Sequence, residues 1–311
     1  MQTFEQLSAR NIELGIQISS AEQYNDHEKQ IAFKKELYSN KLEMIDLLEF
    51  QNKKNNISAK DLLHKVDNLP TVTRYATGLK YLDKNLKLHE SDEDGGIEVG
   101  SLVILGGQSG AGKSHIMLEM LSHISTYSKC VFFNFEMGDR RLASRLKKLL
   151  KTKEQLENFL VDSESRDLGD LLMEIKILAQ EGVKFFAIDS KMKITVKGNE
   201  AEYQKISKIT KELSAAAIKN DIIILLINQI SEENLKTKTL AFKGSGDQLY
   251  DADIALFLTI IEDDRRQLIC KKNRQDERLF NEILPPVANY INVTETTYKE
   301  EPSFNQQHTG F

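Results

Sequence analysis

The sequence has few of the features that mark a membrane or secreted protein. It contains no Trp and only 4 Pro in 311 residues. No apolar run approaches the roughly 18 residues that a membrane-spanning helix needs. The N-terminus, MQTFEQLSARNIELG, lacks the positively charged and then apolar pattern of a signal peptide. The absence of a membrane-spanning run and of a signal-peptide pattern predicts a cytoplasmic protein without a membrane partner.

The chain also has few cysteines and no excess of positive charge. Its 2 cysteines, Cys130 and Cys270, both lie in apolar runs, which predicts buried thiols and no disulfide in a reducing compartment. The 47 Asp and Glu residues outnumber the 42 Lys and Arg residues, so the net charge is -5. This balance argues against a surface that binds nucleic acid all over, but it permits a locally basic channel.

The first part of the chain is predicted to be helical and small. Residues 4–54 contain a single Gly and no Pro, and we expect helix there. A second, short helix is predicted near 58–68, just before Pro70. A helical segment over 1–68 is too small to have a core of its own. We therefore expect it to dock, either on the rest of its own chain or on a neighbouring copy.

From residue 69 onward, short apolar runs alternate with helical stretches. The predicted strands are SLVIL (101–105), CVFFNF (130–135), KFFAID (184–189), IIILLIN (222–228), IALFL (254–258) and QLIC (267–270). Apolar strands separated by helices are typical of a buried, mostly parallel sheet covered by helices on both faces. The sequence therefore predicts an α/β domain over 69–298, followed by a disordered polar tail at 299–311.

A glycine-rich phosphate-binding motif follows the first of these strands. The P-loop pattern G-x-x-x-x-G-K-[ST] is matched at every position by Gly107, Gln108, Ser109, Gly110, Ala111, Gly112, Lys113 and Ser114. Glycines let the backbone point N–H groups at phosphate oxygens, and the following helix adds the positive end of its dipole. We expect Lys113 to neutralise the β- and γ-phosphates of a nucleoside triphosphate and Ser114 to bind Mg²⁺.

Three further strands end in polar residues that suit phosphate chemistry. Asp189 ends KFFAID, and we predict that it holds the metal beside the P-loop. Glu136 follows CVFFNF; it is a candidate base for an attacking water, although an acid that merely starts a helix gives the same pattern. Asn228 and Gln229 end IIILLIN, either as a sensor of the γ-phosphate or as the start of a loop.

The order of these motifs resembles the ATPase domain of DnaB-type replicative helicases, the RecA-like hexameric helicases. The resemblance covers roughly residues 70–285 and rests on TGLKYLD, GGIEVGSLVILGGQSGAGKS, VFFNFEMGDRRLASRL, FFAID, LLINQIS, GSGDQLYDADIALFL and LICKKNR. It implies a RecA-like P-loop fold, ATP and Mg²⁺ as ligands, and a hexamer that moves on single-stranded DNA. Lys113 and Ser114 are implied to bind phosphate and metal, Asp189 to hold the metal, and Glu136 to activate water. Gln229 is implied to couple nucleotide state to DNA contact.

The resemblance also gives a role to the segment CKKNR near the end of the domain. Lys272 and Arg274 in this segment correspond to a pair that reaches into the nucleotide of the neighbouring subunit. A guanidinium suits the spread charge of a transferring phosphoryl group, and such a finger contributes about 10³- to 10⁵-fold in rate. Without the resemblance, the segment is typical of a charged strand-to-turn connection.

Two loops are implied to face the central hole of such a ring. They are SKMKITVKGNE and SEENLKTKTLAFKGSGD, and each contains a stretch with three lysines and no acid. Positive charge concentrated in this way suits a channel that tracks a phosphate backbone, although lysines on solvated loops are also common. The lysines that we expect to bind DNA are Lys191, Lys193, Lys197, Lys236, Lys238 and Lys243.

The N-terminal helices and the choice of function leave alternatives. The helix near 58–68 corresponds to the linker helix that packs on an adjacent subunit in this family, and the segment 1–68 is a candidate surface for replication proteins. The segment is shorter than the family's usual primase-binding domain. One alternative function is a DnaB-like recombination or branch-migration ATPase, whose relatives carry a four-cysteine zinc module that these 2 cysteines do not match. The other is a loader or adaptor switched by ATP binding without translocation.

Overall fold

The computed structural model describes most of the chain. The described residues are 3–24, 26–51, 58–67, 74–87, 95–198, 201–230, 240–242, 248–262, 265–275 and 278–284. The predicted tail at 299–311 and three of the predicted DNA-binding lysines, Lys236, Lys238 and Lys243, lie outside them. None of the described helices combines the length and the apolar character that crossing a membrane requires.

The described elements follow the alternation expected from the sequence. The helices are α1 (Phe4–Gln23), α2 (His27–Gln51), α3 (Ala59–Asp67), α4 (Lys80–Asp83), α5 (Lys113–Ile124), α6 (Asp139–Leu149), α7 (Lys153–Asn158), α8 (Leu168–Gln180), α9 (Glu202–Asn220) and α10 (Gln248–Asp251). The strands are β1 (Arg74–Tyr75), β2 (Ile97–Glu98), β3 (Ser101–Gly107), β4 (Cys130–Asn134), β5 (Phe159–Asp162), β6 (Phe185–Asp189), β7 (Ile223–Ile227), β8 (Ile254–Ile260), β9 (Arg266–Asn273) and β10 (Asn281–Leu284).

The N-terminal helix predicted from the sequence is in fact two helices that pack together as a hairpin. The backbone N–H of Tyr24 closes the end of α1, and α2 begins three residues later. The second helix docks on α8 of the same chain. Two ion pairs cross this contact: Lys41 to Glu181 at 2.7 Å and Lys176 to Asp46 at 2.6 Å. Of the two docking partners that the sequence left open, α2 therefore contacts its own chain.

One large sheet forms the centre of the domain. Its strand order is β10-β9-β8-β3-β7-β6-β4-β5, and the strands from β8 to β5 are all parallel. β9 runs antiparallel to β8, and β10 runs antiparallel to β9. The predicted α/β fold with a mostly parallel sheet is confirmed. The short strands β1 and β2 form a separate two-stranded sheet.

Helices cover both faces of the large sheet. Along β3, Val103 and Leu105 pack on the side of α5, whereas Leu102 and Ile104 pack on the side of α8 and α9. Successive side chains of a strand point to opposite faces, so a strand covered on both sides must be apolar throughout. This requirement explains the continuous apolar runs in the sequence. Cys130 and Cys270 are buried and form no disulfide, as predicted.

The end of β3 is pressed so closely against its neighbours that only glycine fits. A Cβ atom on Gly106 would lie 2.7 Å from a ring carbon of Phe242. A Cβ atom on Gly107 would lie 2.5 Å from the backbone oxygen of Leu258 on β8. Because backbone cannot yield as a flexible side chain does, the first P-loop glycine is needed for the fold, apart from the role in phosphate binding that the sequence predicts.

We expect Gly107→Ala to destabilise the domain by about 1–3 kcal/mol, the usual cost of forcing extra atoms into a packed site. Gly15→Ala is the matched control, because a Cβ there meets no heavy atom within 4 Å. In the helix α1 this control is expected to stabilise by about 0.5–1 kcal/mol. Urea denaturation followed by circular dichroism measures both. Equal midpoints for the two variants would contradict the packing argument.

Candidate functional site

The carboxyl edge of the sheet holds a cleft beside the P-loop. Its volume is about 520 Å³, within the range of about 300–1,000 Å³ that small-molecule sites occupy. The ends of β4, β6 and β7 meet here because they run parallel to β3. The cleft brings together eight of the residues predicted from the sequence, which are Ser109, Gly110, Gly112, Lys113, Ser114, Glu136, Asp189 and Gln229.

The P-loop backbone has the conformation that its glycines allow. Gly110 and Gly112 have φ angles of 77° and 99°, in the left-handed region that other residues rarely adopt. The helix α5 begins directly after Gly112, so its first N–H groups face the cleft. Arg266, at the start of β9, supports the loop from behind through a 3.0 Å hydrogen bond from Nε to the backbone oxygen of Ala111.

Lys113 is held inside the loop that precedes it. Its ammonium donates to the backbone oxygens of Gly107 at 2.8 Å and Gln108 at 2.9 Å. Burial lowers the pKa of Lys113, and the nearby charges of Asp189 and Glu136 oppose that shift. An anionic phosphate group in the cleft would add a stronger opposing charge, so the site favours a ligand that keeps this lysine protonated.

Ser114 and Asp189 form the part of the site that fits a metal ion. The Ser114 hydroxyl donates to Asp189 Oδ2 at 2.5 Å. The other carboxylate oxygen, Oδ1, is buried and has no hydrogen-bond partner among the described residues. Burial raises the pKa of Asp189 to about 6, and the charge of Glu136 adds to the rise. Hydroxyl and carboxylate oxygens are ligands that Mg²⁺ prefers, and an unsatisfied buried oxygen is a reason to expect a cation here.

Glu136 is exposed at the start of a tight turn between β4 and α6. Asn134 holds this turn: its side-chain amide donates to the Met137 oxygen at 2.7 Å, and the Met137 N–H donates to its Oδ1 at 3.1 Å. The N–H of Phe135 donates to the backbone oxygen of Asp189 at 2.8 Å, which joins the two acidic strand ends. Asn134 was not among the residues predicted from the sequence, although a polar residue inside the apolar run CVFFNF was the available signal.

Two cations of α6 line the cleft opposite the P-loop, and neither was predicted from the sequence. They are Arg145 and Lys148, which stand three residues apart on one face of the helix. The charge of Arg145 acts to lower the pKa of Asp189, against the effect of burial. The sequence places five basic residues on this helix, and their spacing alone does not single out Arg145 and Lys148. They add positive charge to the wall of the cleft.

The candidate sensor residues at the end of β7 differ in their environment. Gln229 lines the cleft, and its backbone N–H donates to Asn228 Oδ1 at 2.8 Å. Asn228 is completely buried and points away from the cleft, where its amide donates to Gln248 Oε1 at 2.7 Å. Gln229 is therefore the member of the pair that can contact a ligand.

The described lysines of the first predicted DNA loop do not share one environment. Lys193 and Lys197 are exposed, and Lys197 lies 3.5 Å from Asp167. Lys191 is only 1% exposed, and its ammonium donates to Gln248 Oε1. Burial lowers the pKa of Lys191 to about 7. Its side chain points into the domain, so Lys193 and Lys197 are the lysines that this loop offers to solvent.

The predicted finger residues lie away from the cleft of their own chain. Lys272 pairs with Ala255 of β8, three residues before Leu258, the neighbour of Gly107. The N–H of Arg274 donates to the backbone oxygen of Asp253, two residues further back. At about 3.3 Å per strand residue, the pair lies about 10–17 Å along the sheet from the start of the P-loop. The fold does not bring Lys272 and Arg274 into the cleft.

Backbone oxygens near α10 hold both finger side chains. The ammonium of Lys272 donates to the oxygens of Leu249 and Tyr250, both at 2.7 Å. The guanidinium of Arg274 donates to the Tyr250 oxygen at 2.9 Å and to Asp253 Oδ1 at 3.2 Å. Burial and the charge of Arg274 lower the pKa of Lys272. The side chain of Arg274 remains 54% exposed, so part of its guanidinium faces outward.

Comparison with known proteins agrees with this geometry. Residues 93–234 match a family described as AAA domain. The replicative DNA helicase DnaB of Treponema pallidum (strain Nichols) is 25% identical over 250 residues, covering 69% of this chain and 55% of that protein. The DNA repair protein RadA of Streptococcus pneumoniae (strain ATCC BAA-255 / R6) is 22% identical over 139 residues, covering 45% and 32%. The chain thus spans about half the length of the DnaB relative and about a third of the length of the RadA relative.

Two solved structures are similar in fold. The first, an ATPase domain solved on its own, superposes with a TM-score of 0.60 at 17% identity, covering 76% of this chain and 98% of that domain. A DnaB-like replicative helicase, solved in a study of its interactions with primase, superposes with a TM-score of 0.58 at 15% identity, covering 91% of this chain and 75% of the other. At these identities the likeness establishes the fold alone, which is the RecA-like P-loop fold.

We expect Arg145→Met to weaken binding of Mg²⁺ and a fluorescent ATP analogue by about tenfold or more, as the loss of one hydrogen bond to a charged group does. The matched control is Arg141→Met, because Arg141 is exposed on the same helix and lies outside the cleft. A fluorescence titration gives both dissociation constants. Equal weakening in the two variants would show that Arg145 acts only through the net charge.

Proposed function

We propose, from the premise that the chain carries a DnaB-type RecA-like ATPase domain, that it is an ATP-driven helicase or translocase. It acts on single-stranded DNA as a homo-oligomer, a hexamer by analogy with the relatives, and hydrolyses ATP between neighbouring copies. The observation that carries this proposal is the distance of Lys272 and Arg274 from the cleft of their own chain.

That distance favours a site shared between two copies. The cleft lies at the carboxyl edge of the parallel strands, whereas Lys272 and Arg274 lie towards their amino edge. A head-to-tail contact places the amino edge of one copy against the carboxyl edge of the next, and a closed ring repeats this contact around its axis. In such a ring each finger pair completes the site of a neighbour.

Within one copy, different cleft residues contact different parts of the bound ATP and Mg²⁺. The P-loop N–H groups and Lys113 hold the β- and γ-phosphates, and Arg145 adds charge from α6. Ser114 and Asp189 would hold Mg²⁺, which when bound neutralises part of the phosphate charge. Gln229 lies where it can contact the γ-phosphate.

Glu136 is the residue that suits the activation of water. Its carboxylate accepts a proton from a water molecule as the water oxygen attacks the γ-phosphorus. The bond between that phosphorus and the β–γ bridging oxygen breaks, and ADP and inorganic phosphate are the products. The guanidinium of Arg274 from the next copy balances the negative charge that spreads over the transferring group.

The DNA contact is proposed for the loop that follows β6. Lys193 and Lys197 are its exposed lysines, and positive charge on such a loop attracts the phosphate backbone of a single strand. Lys236, Lys238 and Lys243 stay predictions for the second loop. Few aromatic residues occur in either loop, so we expect weak sequence preference.

The N-terminal segment 1–68 is proposed to serve assembly, and the ATPase domain to cover 69–298. The helix α3 exposes Leu62 at 48% and Leu63 at 64%, which suits packing against an adjacent copy as a linker helix. The hairpin of α1 and α2 is the candidate surface for other replication proteins.

A second candidate function is a recombination or branch-migration ATPase. The match to the DNA repair protein RadA, 22% identical over 139 residues, favours it. Both candidates hydrolyse ATP and use DNA, so the substrate separates them. Unwinding of a forked duplex with a single-stranded tail supports the helicase, whereas activity confined to branched recombination intermediates supports the alternative.

We expect ATP turnover to rise when single-stranded DNA is added, because the motor couples hydrolysis to movement. Glu136→Gln should lower the stimulated rate by about 10²- to 10⁴-fold, the usual contribution of a general base, with ATP binding intact. Steady-state phosphate release and an ATP-binding titration measure these quantities. Turnover that ignores DNA, or that survives Glu136→Gln, would favour the ATP-switched loader or adaptor.

We expect Arg274→Ala to lower the stimulated rate by about 10³-fold or more, as loss of an arginine finger does. Lys271→Ala is the matched control, because Lys271 is an exposed lysine on the same strand. Phosphate release at saturating ATP and DNA compares the two. An Arg274→Ala enzyme as fast as the Lys271→Ala enzyme would refute the shared site.

A further inference from the structure

A buried polar junction lies between the nucleotide cleft and the first DNA loop. Its centre is Gln248, the first residue of α10, which is completely buried. Gln248 Oε1 accepts two hydrogen bonds: one from the ammonium of Lys191 at 2.5 Å and one from the amide of Asn228 at 2.7 Å. Lys191 and Asn228 are 1% and 0% exposed.

One donor comes from the end of β7, beside the cleft, and the other comes from the start of the loop proposed to contact DNA. Asn228 precedes Gln229 of the cleft, and its Oδ1 accepts the backbone N–H of Gln229 at 2.8 Å. Lys191 follows Asp189 by two residues and opens the loop that carries Lys193 and Lys197. A continuous chain of hydrogen bonds therefore runs from the backbone of Gln229, through Asn228 and Gln248, to the base of the DNA loop.

The acceptor itself is anchored. Asp251, at the other end of α10, accepts a 2.6 Å hydrogen bond from the hydroxyl of Thr210 on α9. A movement of Asn228 relative to the amide of Gln248 either breaks the hydrogen bond between the two side chains or shifts Gln248. Both outcomes change the hydrogen bonding of Lys191. Because the partners are buried, leaving one of them unpaired is costly, so the junction favours a small number of discrete arrangements.

Stability alone does not account for an ammonium group at this place. Apolar residues of similar volume often stabilise a buried site as well as, or better than, a charged group with its partners. The buried amine of Lys191 and the acceptor that it shares with Asn228 instead define one relative position of β7, α10 and the loop. We expect this property of residues that fix the position of one element relative to another.

We propose that Lys191 and Gln248 are positioning residues that couple the nucleotide state of the cleft to the affinity of the following loop for single-stranded DNA. This inference rests on the proposed function. It differs from the prediction made from the sequence, in which Lys191 is itself a DNA contact. A ligand shifts an equilibrium between two conformations only by the difference in its affinity for them. Coupling is therefore measured as the ratio of the DNA affinities in the two nucleotide states.

The test measures the dissociation constant of a fluorescent oligothymidine by anisotropy, with Mg-ADP and with a Mg-bound non-hydrolysable ATP analogue. Couplings between sites typically change affinity by about 5- to 150-fold. Lys191→Met should bring the ratio of the two constants close to that of an uncoupled protein, about one, because the loop no longer senses Asn228. Gln248→Met should do the same. Gln248→Glu retains an acceptor for both donors and should keep most of the ratio.

The matched control is Lys193→Met, because Lys193 is exposed on the same loop. It should weaken DNA binding in both nucleotide states by the same factor and leave the ratio unchanged. A Lys191→Met protein that behaves like this control would overturn the inference and restore Lys191 as a plain phosphate contact. A parental protein that binds DNA equally in both states would overturn it too.

Lys191→Met keeps the hydrogen bond from Asn228 to Gln248, whereas Gln248→Met leaves the buried amide of Asn228 without its acceptor and is the variant at risk of not folding. If Gln248→Met fails to fold, a folded Lys191→Met protein with the parental ratio still overturns the inference. A parental protein that binds no oligonucleotide in either state overturns the proposed function itself, and with it this inference.

Discussion

The direction of β9 is the constraint on which the arrangement of the site depends. Because this strand runs antiparallel to β8, its first residue lies at the carboxyl edge of the parallel strands and its last residues lie towards the amino edge. At one end, Arg266 supports the chain's own P-loop. At the other end, Lys272 and Arg274 lie outside the cleft of their own chain. One strand thus connects the cleft of its own chain with the two residues proposed to complete the site of a neighbouring copy.

Burial of charge at the carboxyl edge explains why the site is suited to a phosphate ligand and a cation. Lys113 donates to backbone oxygens of its own loop, and its pKa is lowered by burial. Asp189 has one oxygen without a partner among the described residues, and its pKa is raised to about 6. Each group is destabilised by its environment in a way that a ligand of opposite charge relieves. A phosphate ligand and a cation bound at this edge would meet groups that are already desolvated and aligned.

Local patterns in the sequence predicted the sheet and the cleft well, because both depend on residues near one another along the chain. A buried parallel strand must be apolar, and the polar residue at its end reaches the carboxyl edge whatever the rest of the fold does. Asp189, Glu136 and Gln229 were expected at this edge for that reason, and they line the cleft; their roles stay predictions. The strands β5 and β10 were missed because they are short and partly polar at the sheet edges. The position of Arg145 in the cleft depends on how α6 packs beside the P-loop, and the burial of Lys191 depends on Gln248, 57 residues further along. No spacing rule reveals such contacts.

If cleft and finger come from different copies, mixing two inactive chains tests the shared site most directly. A Glu136→Gln chain keeps its finger and an Arg274→Ala chain keeps its base, so a random mixed ring has about a quarter of its head-to-tail interfaces intact. Mixing is expected to restore DNA-stimulated ATP turnover well above the sum of the separate variants. Turnover equal to that sum, in oligomers shown to have exchanged subunits, would contradict the shared site.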